Sequence, residues 1–294
     1  MKAQSKSGDK FSETSSQPMD KKTELKVIGL YRAEFELAKS SEFKSWLCQL
    51  VMAATALLSI FTNSEFIVYP ATIVALLAAF FDKWFSYQSR QQKDIAERAR
   101  RLLLIVNGLG YQISKKELVD LFTKFSVSET SGKKWENKDY FQSTDKIGYV
   151  RLSHLLQESA FFSKYLYAES AKFSWALFSV LFLLSLITLF VLPILPSASW
   201  SIAIAKVIGI ILMFLVSIDL FGRALEYTET TNSVRQTDDR LENLRSGDIN
   251  EHDVLLIFGD YNTTVAGAPL IPTFIYNRNK ARLTELWKKR LLTQ

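Results

Sequence analysis

Apolar residues are gathered into four runs along the chain, and the runs come as two close pairs. The first pair covers Trp46–Thr62 and Phe66–Phe81, and the second covers Phe173–Leu192 and Ser201–Ile218. Each run has about the length that crosses the hydrocarbon of a bilayer, roughly 17–25 residues. Short links join the two members of each pair. The pattern predicts two transmembrane hairpins and therefore about four spans.

Helical patterning continues beyond the apolar runs. An acid–base pair at i,i+4 spacing, Asp94 with Arg98, follows the second run and favours a helix. The second span is therefore predicted to continue as one helix to Asn107. The third span is predicted to continue from a helix that starts near Arg151, and the fourth is predicted to extend as a helix to Gly247.

Local signals complete the predicted architecture. Ser114 followed by Glu117 is a capping box and predicts a short helix; 126–139 is predicted to be a loop and 251–261 a helix or a strand. The fold class is therefore an all-α integral membrane protein with two transmembrane helical hairpins and long helical cytosolic extensions. Its predicted parts are a disordered N-terminal arm (1–25), an initial helix with the first hairpin (26–83), a cytosolic helical segment (84–172), the second hairpin (173–221) and a C-terminal cytosolic helical tail (222–294).

Basic residues set the predicted orientation. The two links inside the hairpins, 63–65 and 193–199, contain no lysine or arginine. Positively charged segments next to spans stay in the cytoplasm, so the N-terminal arm, the central segment and the tail are all predicted to be cytoplasmic. The basic residues of these cytoplasmic segments account for the net charge of +6. The positive charge is therefore weak evidence for nucleic-acid binding, and no nucleic acid polymer is predicted as a partner.

Residues that carry enzyme or metal chemistry are scarce. The chain has one cysteine, Cys48, and two distant histidines, His154 and His252. This excludes a disulfide within the chain and offers no metal-ligand spacing. The sequence has no phosphate-binding glycine loop, nucleophile elbow or HExxH motif. We predict no catalytic residues, no metal site and no cofactor.

Polar residues inside the predicted spans are the candidates for a pore or gate. Lys206 lies near the outer end of the fourth span, where a lysine either lines a pore or extends to the headgroups. Hydroxyl residues share one face of the first span (Thr55, Ser59, Thr62) and one face of the third (Ser185, Thr188). Such hydroxyls can line a pore, but more often they bond to their own helix or join two helices.

An aspartate follows the second run and another follows the fourth. Asp82 precedes Lys83, and Asp219 lies close to Arg223. Both are candidates for an acidic ring at the inner mouth of an oligomeric pore. The topology favours the simpler interpretation, that each is a charged marker where the membrane ends.

Candidate ligand-binding residues lie in the second half of the chain. The run 227–233 is rich in hydroxyl and amide groups, and Thr230 and Asn232 are candidates there. The same run also suits a solvated helix face. Arg278 and Arg282 in the tail can bind a phosphate-bearing ligand or an anionic lipid.

Three stretches carry a resemblance to a known family: YFQS at 140–143, GYVRLSHLLQESAFFSKYL at 148–166 and APLIPTFIYNRNKARLTELW at 268–287. Together with the two hairpins they resemble the SMODS-associated four-transmembrane effectors, related to SLATT proteins, of bacterial anti-phage defence. The resemblance implies a pore-forming effector of the bacterial inner membrane, triggered by a nucleotide second messenger such as a cyclic nucleotide. It implies no catalytic residue.

Two functions follow as hypotheses. The first is a gated homo-oligomeric pore, because four short spans from one copy enclose little water. The alternative is a non-conducting structural or regulatory membrane protein whose cytosolic helices form a docking module. A membrane-bound enzyme has less support than either, since no enzyme motif is present.

Overall fold

A computed structural model describes residues 19–62, 64–137, 140–141, 143, 145–191, 198–217, 219–245 and 249–293. Within these ranges the chain forms nine α-helices and no β-strand, which confirms the predicted all-α class. The helices are α1 (Lys21–Phe61), α2 (Glu65–Leu109), α3 (Lys115–Lys124), α4 (Glu129–Lys133), α5 (Tyr149–Val191), α6 (Ala198–Ser217), α7 (Leu220–Arg245), α8 (Glu251–Gly267) and α9 (Thr273–Thr293).

Three helices, α1, α2 and α5, are long and apolar enough to cross a membrane. They contain 41, 45 and 43 residues. At about 1.5 Å per residue each is about 60 Å long, roughly twice the thickness of bilayer hydrocarbon. Each helix therefore has an apolar half and a polar half.

The apolar halves expose their large side chains. This surface includes residues of α2 and α5 that no other part of the described chain covers: Phe66, Ile73, Leu76, Leu77, Phe80, Leu183, Leu184, Ile187 and Phe190. A soluble chain rarely leaves so much contiguous apolar surface uncovered. This surface and the three long apolar helices indicate a membrane protein. Helix α6 covers most of the fourth apolar run and packs against both α1 and α5.

The polar halves are buried against each other and against the shorter helices. One hydrophobic cluster joins α5, α7 and α8 and includes Leu156, Val234 and Tyr261. Another joins α1, α2 and α3, and includes Ile28 and Leu103. A third cluster connects α2, α5 and α8, so the two halves of the chain share one core outside the apolar surface.

Several predicted helix ends differ from the observed ones. Helix α1 already begins at Lys21, within the stretch predicted to be a disordered arm. The second span does continue as one helix, but it ends at Leu109, because Gly110 adopts the left-handed conformation (φ +70°) that ends helices. The predicted loop at 126–139 contains the short helix α4, and the undecided stretch at 251–261 lies in helix α8.

The fourth span does not continue as one helix, so that prediction is wrong. Helix α6 ends at Ser217 and a new helix, α7, starts at Leu220. Asp219 between them has φ +49°, outside the helical region. The third span, in contrast, is continuous with the helix before it, since α5 is unbroken from Tyr149 to Val191. Ser114 also caps α3 as predicted, accepting a hydrogen bond from the Glu117 amide at 3.1 Å.

Helices α1 and α4 approach closely at Gly29. A Cβ atom at this position would lie 2.5 Å from the carbonyl oxygen of Gly132. Gly29→Ala gains helix propensity but forces two backbones apart, and over-packing of this kind costs about 1–3 kcal/mol. We expect a lower thermal unfolding temperature for this variant in detergent.

Gly259 in α8 provides the matched control for Gly29. No atom lies within 4 Å of the position of its Cβ. Gly259→Ala should therefore stabilise the fold by about 0.5–1 kcal/mol through helix propensity alone. Equal shifts of the unfolding temperature for the two variants would contradict the close approach of α1 and α4.

Candidate functional site

A cavity of about 330 Å³ lies among the polar halves of α1, α2 and α5 and the segment that connects α8 to α9. It also reaches Trp135 and Tyr140 of the segment before α5, and Lys280 and Thr284 of α9. Ligand sites in proteins commonly have volumes of about 300–1,000 Å³. The cavity is thus large enough for a small molecule.

Aromatic rings form much of the cavity wall, where nine described lining residues are Phe, Tyr or Trp. Tyr31 packs edge-on to Tyr140, and Tyr140 packs edge-on to Phe141 with ring centroids 4.8 Å apart. Burial raises the pKa of Tyr31 and of Tyr140 above the ordinary value of tyrosine. Both phenols therefore stay neutral at physiological pH.

Among the described residues that line the cavity, five are basic and three are glutamates. Two of the basic residues have carboxylate partners within it: Lys39 lies 2.6 Å from Glu36, and Arg100 lies 2.8 Å from Glu97. Arg32 instead donates to the hydroxyl oxygen of Tyr276 at 3.0 Å. The described part of the wall therefore carries more positive than negative charge.

Lys93 of α2 holds the segment between α8 and α9. Its ammonium group donates to the carbonyl oxygen of Ala266 at 2.6 Å and to that of Ala268. Burial lowers the pKa of Lys93 below the ordinary value of lysine. Tyr227 of α7 donates to the carbonyl oxygen of Leu270 at 2.6 Å. Two long helices thus fix the backbone of a segment that lines the cavity.

The four predicted ligand residues do not meet at this cavity. Thr230 is buried within α7, and Asn232 is exposed on the same helix. Arg278 and Arg282 are exposed on α9. None of the four lines the cavity, although Lys280, which lies between the two arginines in sequence, does.

A repeat of charged residues in the sequence relates to this cavity, but it was not used to predict a site. Arg32, Glu36 and Lys39 repeat at helical spacing on α1, and Lys93, Glu97 and Arg100 do so on α2. Such a repeat places charged side chains on one helix face. The same pattern is common on solvated helices, so it identifies a site only once the two faces are known to meet.

Four of the five predicted pore hydroxyls bond to the backbone of their own helix. Thr55 donates to the Met52 carbonyl oxygen at 2.8 Å, and Ser59 donates to that of Ala56 at 2.7 Å. Ser185 likewise donates to the Leu181 carbonyl oxygen and Thr188 to that of Leu184, whereas Thr62, just after α1, accepts from the Ser64 amide. These bonds fit the alternative in which the hydroxyls serve their own backbone. Lys206 has an exposed side chain on α6.

Asp82 is buried between α1 and α2, with 3% of the residue exposed, so its carboxylate is not in contact with bulk solvent. Its carboxylate accepts from the Ser45 hydroxyl at 2.5 Å and from the Gln49 amide at 2.9 Å. The Lys83 ammonium lies 3.4 Å away but is itself exposed. Asp82 belongs to a polar seam between α1 and α2, in which Ser41 also donates to Gln92 at 2.9 Å.

Asp219 has a different role from Asp82, despite the similar sequence setting. It is exposed, and its carboxylate accepts from the Gly222 amide at 3.1 Å at the start of α7. Asp219 therefore caps a helix. One turn later, Arg223 donates to Glu42 of α1 at 2.5 Å, which ties α7 to the first hairpin.

No group of three or more His, Cys, Asp or Glu in the described residues is placed to hold a metal ion. The cavity is instead suited to non-covalent binding of a small molecule by rings and positive charges. No family model, curated protein or solved structure matches the chain.

Proposed function

We propose that this chain is a pore-forming effector of the bacterial inner membrane that acts in anti-phage defence and is gated by a nucleotide second messenger or a partner. One observation carries the proposal: α1, α2 and α5 line the cavity with their polar halves and continue without interruption into the apolar surface. A ligand in the cavity therefore touches the same rigid helices that lie in the membrane.

The orientation belongs to the same proposal. Both termini and the polar halves lie in the cytoplasm, and α6 is the fourth span. The lysine-free and arginine-free links at 63–65 and 193–199 support this arrangement, because the outer side of a membrane protein is poor in basic residues. The cavity then faces the compartment in which a nucleotide messenger is made.

Gating requires differential affinity. A ligand shifts a closed–open equilibrium only by as much as it prefers one state. Moving the open population from about 1% to about 99% needs a preference of about 10⁴-fold. The segment between α8 and α9, held by Lys93 and Tyr227, is one element whose position such a ligand can bias.

Conduction requires several copies. Helix α6 packs against both α1 and α5, and four short spans from a single copy are expected to enclose little water. A homo-oligomer in the lipid bilayer solves this, with part of the exposed apolar surface buried between copies. The polar halves then form a cytosolic collar around the axis.

Dye release from vesicles tests the proposal. The full chain is reconstituted into phosphatidylethanolamine–phosphatidylglycerol vesicles that contain a self-quenching dye, and cyclic dinucleotides, cyclic trinucleotides and cell extract from infected bacteria are added in turn. We expect release with at least one of these additions and none from protein-free vesicles. Retained dye under every condition, together with an intact membrane potential in overexpressing cells, would refute the pore.

Lys206 gives a narrower prediction about the pore. If its exposed side chain lies on the conduction path, Lys206→Ala should shift the reversal potential of the current toward cations, because a positive charge near a pore repels them. The measurement is a planar-bilayer recording in a salt gradient. Lys288→Ala, an exposed lysine in α9, is the control and should leave the reversal potential unchanged.

A second candidate function is a non-conducting structural or regulatory membrane protein with a cytosolic docking module. The hydroxyls of the spans favour it, because Thr55, Ser59 and Ser185 bond to their own helix backbones. No dye release combined with specific capture of a small ligand would support this candidate over the pore.

A further inference from the structure

The cavity contains positive charges that have no carboxylate partner in the part of the chain that the structure describes. Arg32, Lys93 and Lys280 all line it, and among the described residues none of the three has a carboxylate oxygen within 4.0 Å. Arg32 is half-buried and contacts the Tyr276 hydroxyl. A partly desolvated cation without a countercharge is unfavourable. An anionic group bound beside Arg32 would supply the missing charge.

Aromatic rings surround Arg32. Its guanidinium carbon lies 5.7 Å from the centroid of the Tyr140 ring, and the Tyr276 ring lies 5.8 Å from the Lys39 ammonium. Trp135 and Phe35 are also part of the wall. Stacking of a planar base on such rings contributes about 1–3 kcal/mol per base. The cavity thus offers surfaces for a flat ring next to positions for an anion.

The dimensions limit the ligand. A volume of about 330 Å³ is near the lower end of small-molecule sites. One planar ring with a sugar and a phosphate suits this space, whereas a longer oligonucleotide does not fit within it. Lys280 is exposed on α9 and lines the wall, so further phosphates would remain in contact with solvent.

We infer that this cavity is a binding site for one nucleoside phosphate unit, with the phosphate held by Arg32 and Lys280 and the base packed against the aromatic wall. The unit is either a free nucleoside phosphate or one part of a larger nucleotide. This inference rests on the proposed function for its biological meaning, but not for its test. It moves the ligand site away from Thr230, Asn232, Arg278 and Arg282.

Binding is tested by isothermal titration of the full chain in detergent micelles. The probes are the four nucleoside monophosphates, a cyclic dinucleotide, adenosine and inorganic phosphate. We expect at least one monophosphate or the cyclic dinucleotide to bind, and adenosine and phosphate alone to bind at least about ten-fold more weakly, since each supplies only half of the contacts. Equal affinity for the monophosphate and the cyclic dinucleotide would identify a site that reads a single unit.

Variants locate the site. Lys280→Ala is expected to weaken binding about five-fold, and Arg32→Ala more than about ten-fold, through loss of charge-assisted hydrogen bonds. Lys280 is exposed, so its variant does not depend on refolding of a core. Arg282→Ala is the matched control, because Arg282 is exposed on the same helix but does not line the cavity.

Three results would overturn the inference: no binding by any nucleotide at millimolar concentration, equal losses for Lys280→Ala and Arg282→Ala, or displacement of the nucleotide by phosphatidylglycerol in the micelles. The last would assign the cavity to a lipid headgroup. Nucleotide binding without dye release would refute the pore but support the proposed binding site. If nucleotides trigger dye release and neither Lys280→Ala nor Arg32→Ala changes it, the pore is supported and the proposed binding site is refuted.

Discussion

Asp238→Asn is expected to destabilise the folded protein by about 3–5 kcal/mol, because it removes the buried negative charge that Lys164 and Arg290 share. Asp238 of α7 is 1% exposed. Lys164 of α5 donates to its carboxylate, and Arg290 of α9 donates to both of its oxygens at 3.0 and 2.9 Å. One carboxylate therefore joins three helices. Asparagine retains one acceptor but removes the charge that balances Lys164 and Arg290.

An exposed pair on the same helix provides the control for Asp238. Arg240 of α7 contacts Asp260 of α8 at 2.7 Å, but half of the Asp260 side chain is exposed. Exposed pairs contribute at most about 1 kcal/mol. Thermal unfolding in detergent, followed by circular dichroism, should therefore show a much larger loss for Asp238→Asn than for Asp260→Asn. Similar losses would contradict a buried three-helix junction.

A triple variant separates lost charge balance from lost packing at this junction. In Lys164→Met, Asp238→Leu, Arg290→Met the charges disappear together, and apolar groups of comparable volume replace them. Replacement of a whole buried charge cluster is often neutral or stabilising, whereas removal of one member is not. The triple variant should therefore be more stable than Asp238→Asn alone. Arg290 also contacts Glu242 at 2.7 Å, so part of the loss should remain.

The sequence predicts the long helices well, because their signals are local. Apolar runs of membrane length and i,i+4 pairs such as Asp94 with Arg98 act within one helix, and α2 and α5 are continuous across the predicted boundaries. The break between α6 and α7 has no such signal. Neither glycine nor proline lies at the break, and Asp219 is one of the few residue types that tolerate positive φ.

The cavity and the buried aspartates could not be predicted in the same way. Asp82 and Asp219 follow apolar runs in similar contexts, yet one is buried and the other caps a helix. The difference depends on whether polar residues of another helix, here Ser45 and Gln49 of α1, lie opposite. Likewise, Arg32 of α1 and Lys280 of α9 line one cavity only because of tertiary packing. These sites depend on which distant helices pack together, and the periodicity of residues along a single helix does not predict that.

Asp82→Ala is expected to destabilise the protein by about 1–3 kcal/mol, because it removes the buried acceptor of the Gln49 side-chain amide and leaves the Ser45 hydroxyl with the Ser86 hydroxyl, 2.9 Å away, as its remaining partner. Asp82→Asn should cost less, since its carbonyl oxygen still accepts. Asp94→Ala, an exposed aspartate on the same helix, is the control and should change the unfolding temperature little.

The two Asp82 variants also distinguish two roles of the carboxylate. In the first it acts as a clasp, a hydrogen-bonded contact that joins α1 and α2; in the second it is part of an acidic ring at a pore mouth. A clasp acts through hydrogen bonds, so stability should follow the order wild type, Asn, Ala. A Ser45→Ala, Asp82→Ala double-mutant cycle should then give a coupling energy of about 0.5–3 kcal/mol. A ring acts through charge, so Asn and Ala should reduce cation preference equally in planar bilayers. Because the carboxylate faces α1 and is 3% exposed, we expect the stability order and no change in ion preference.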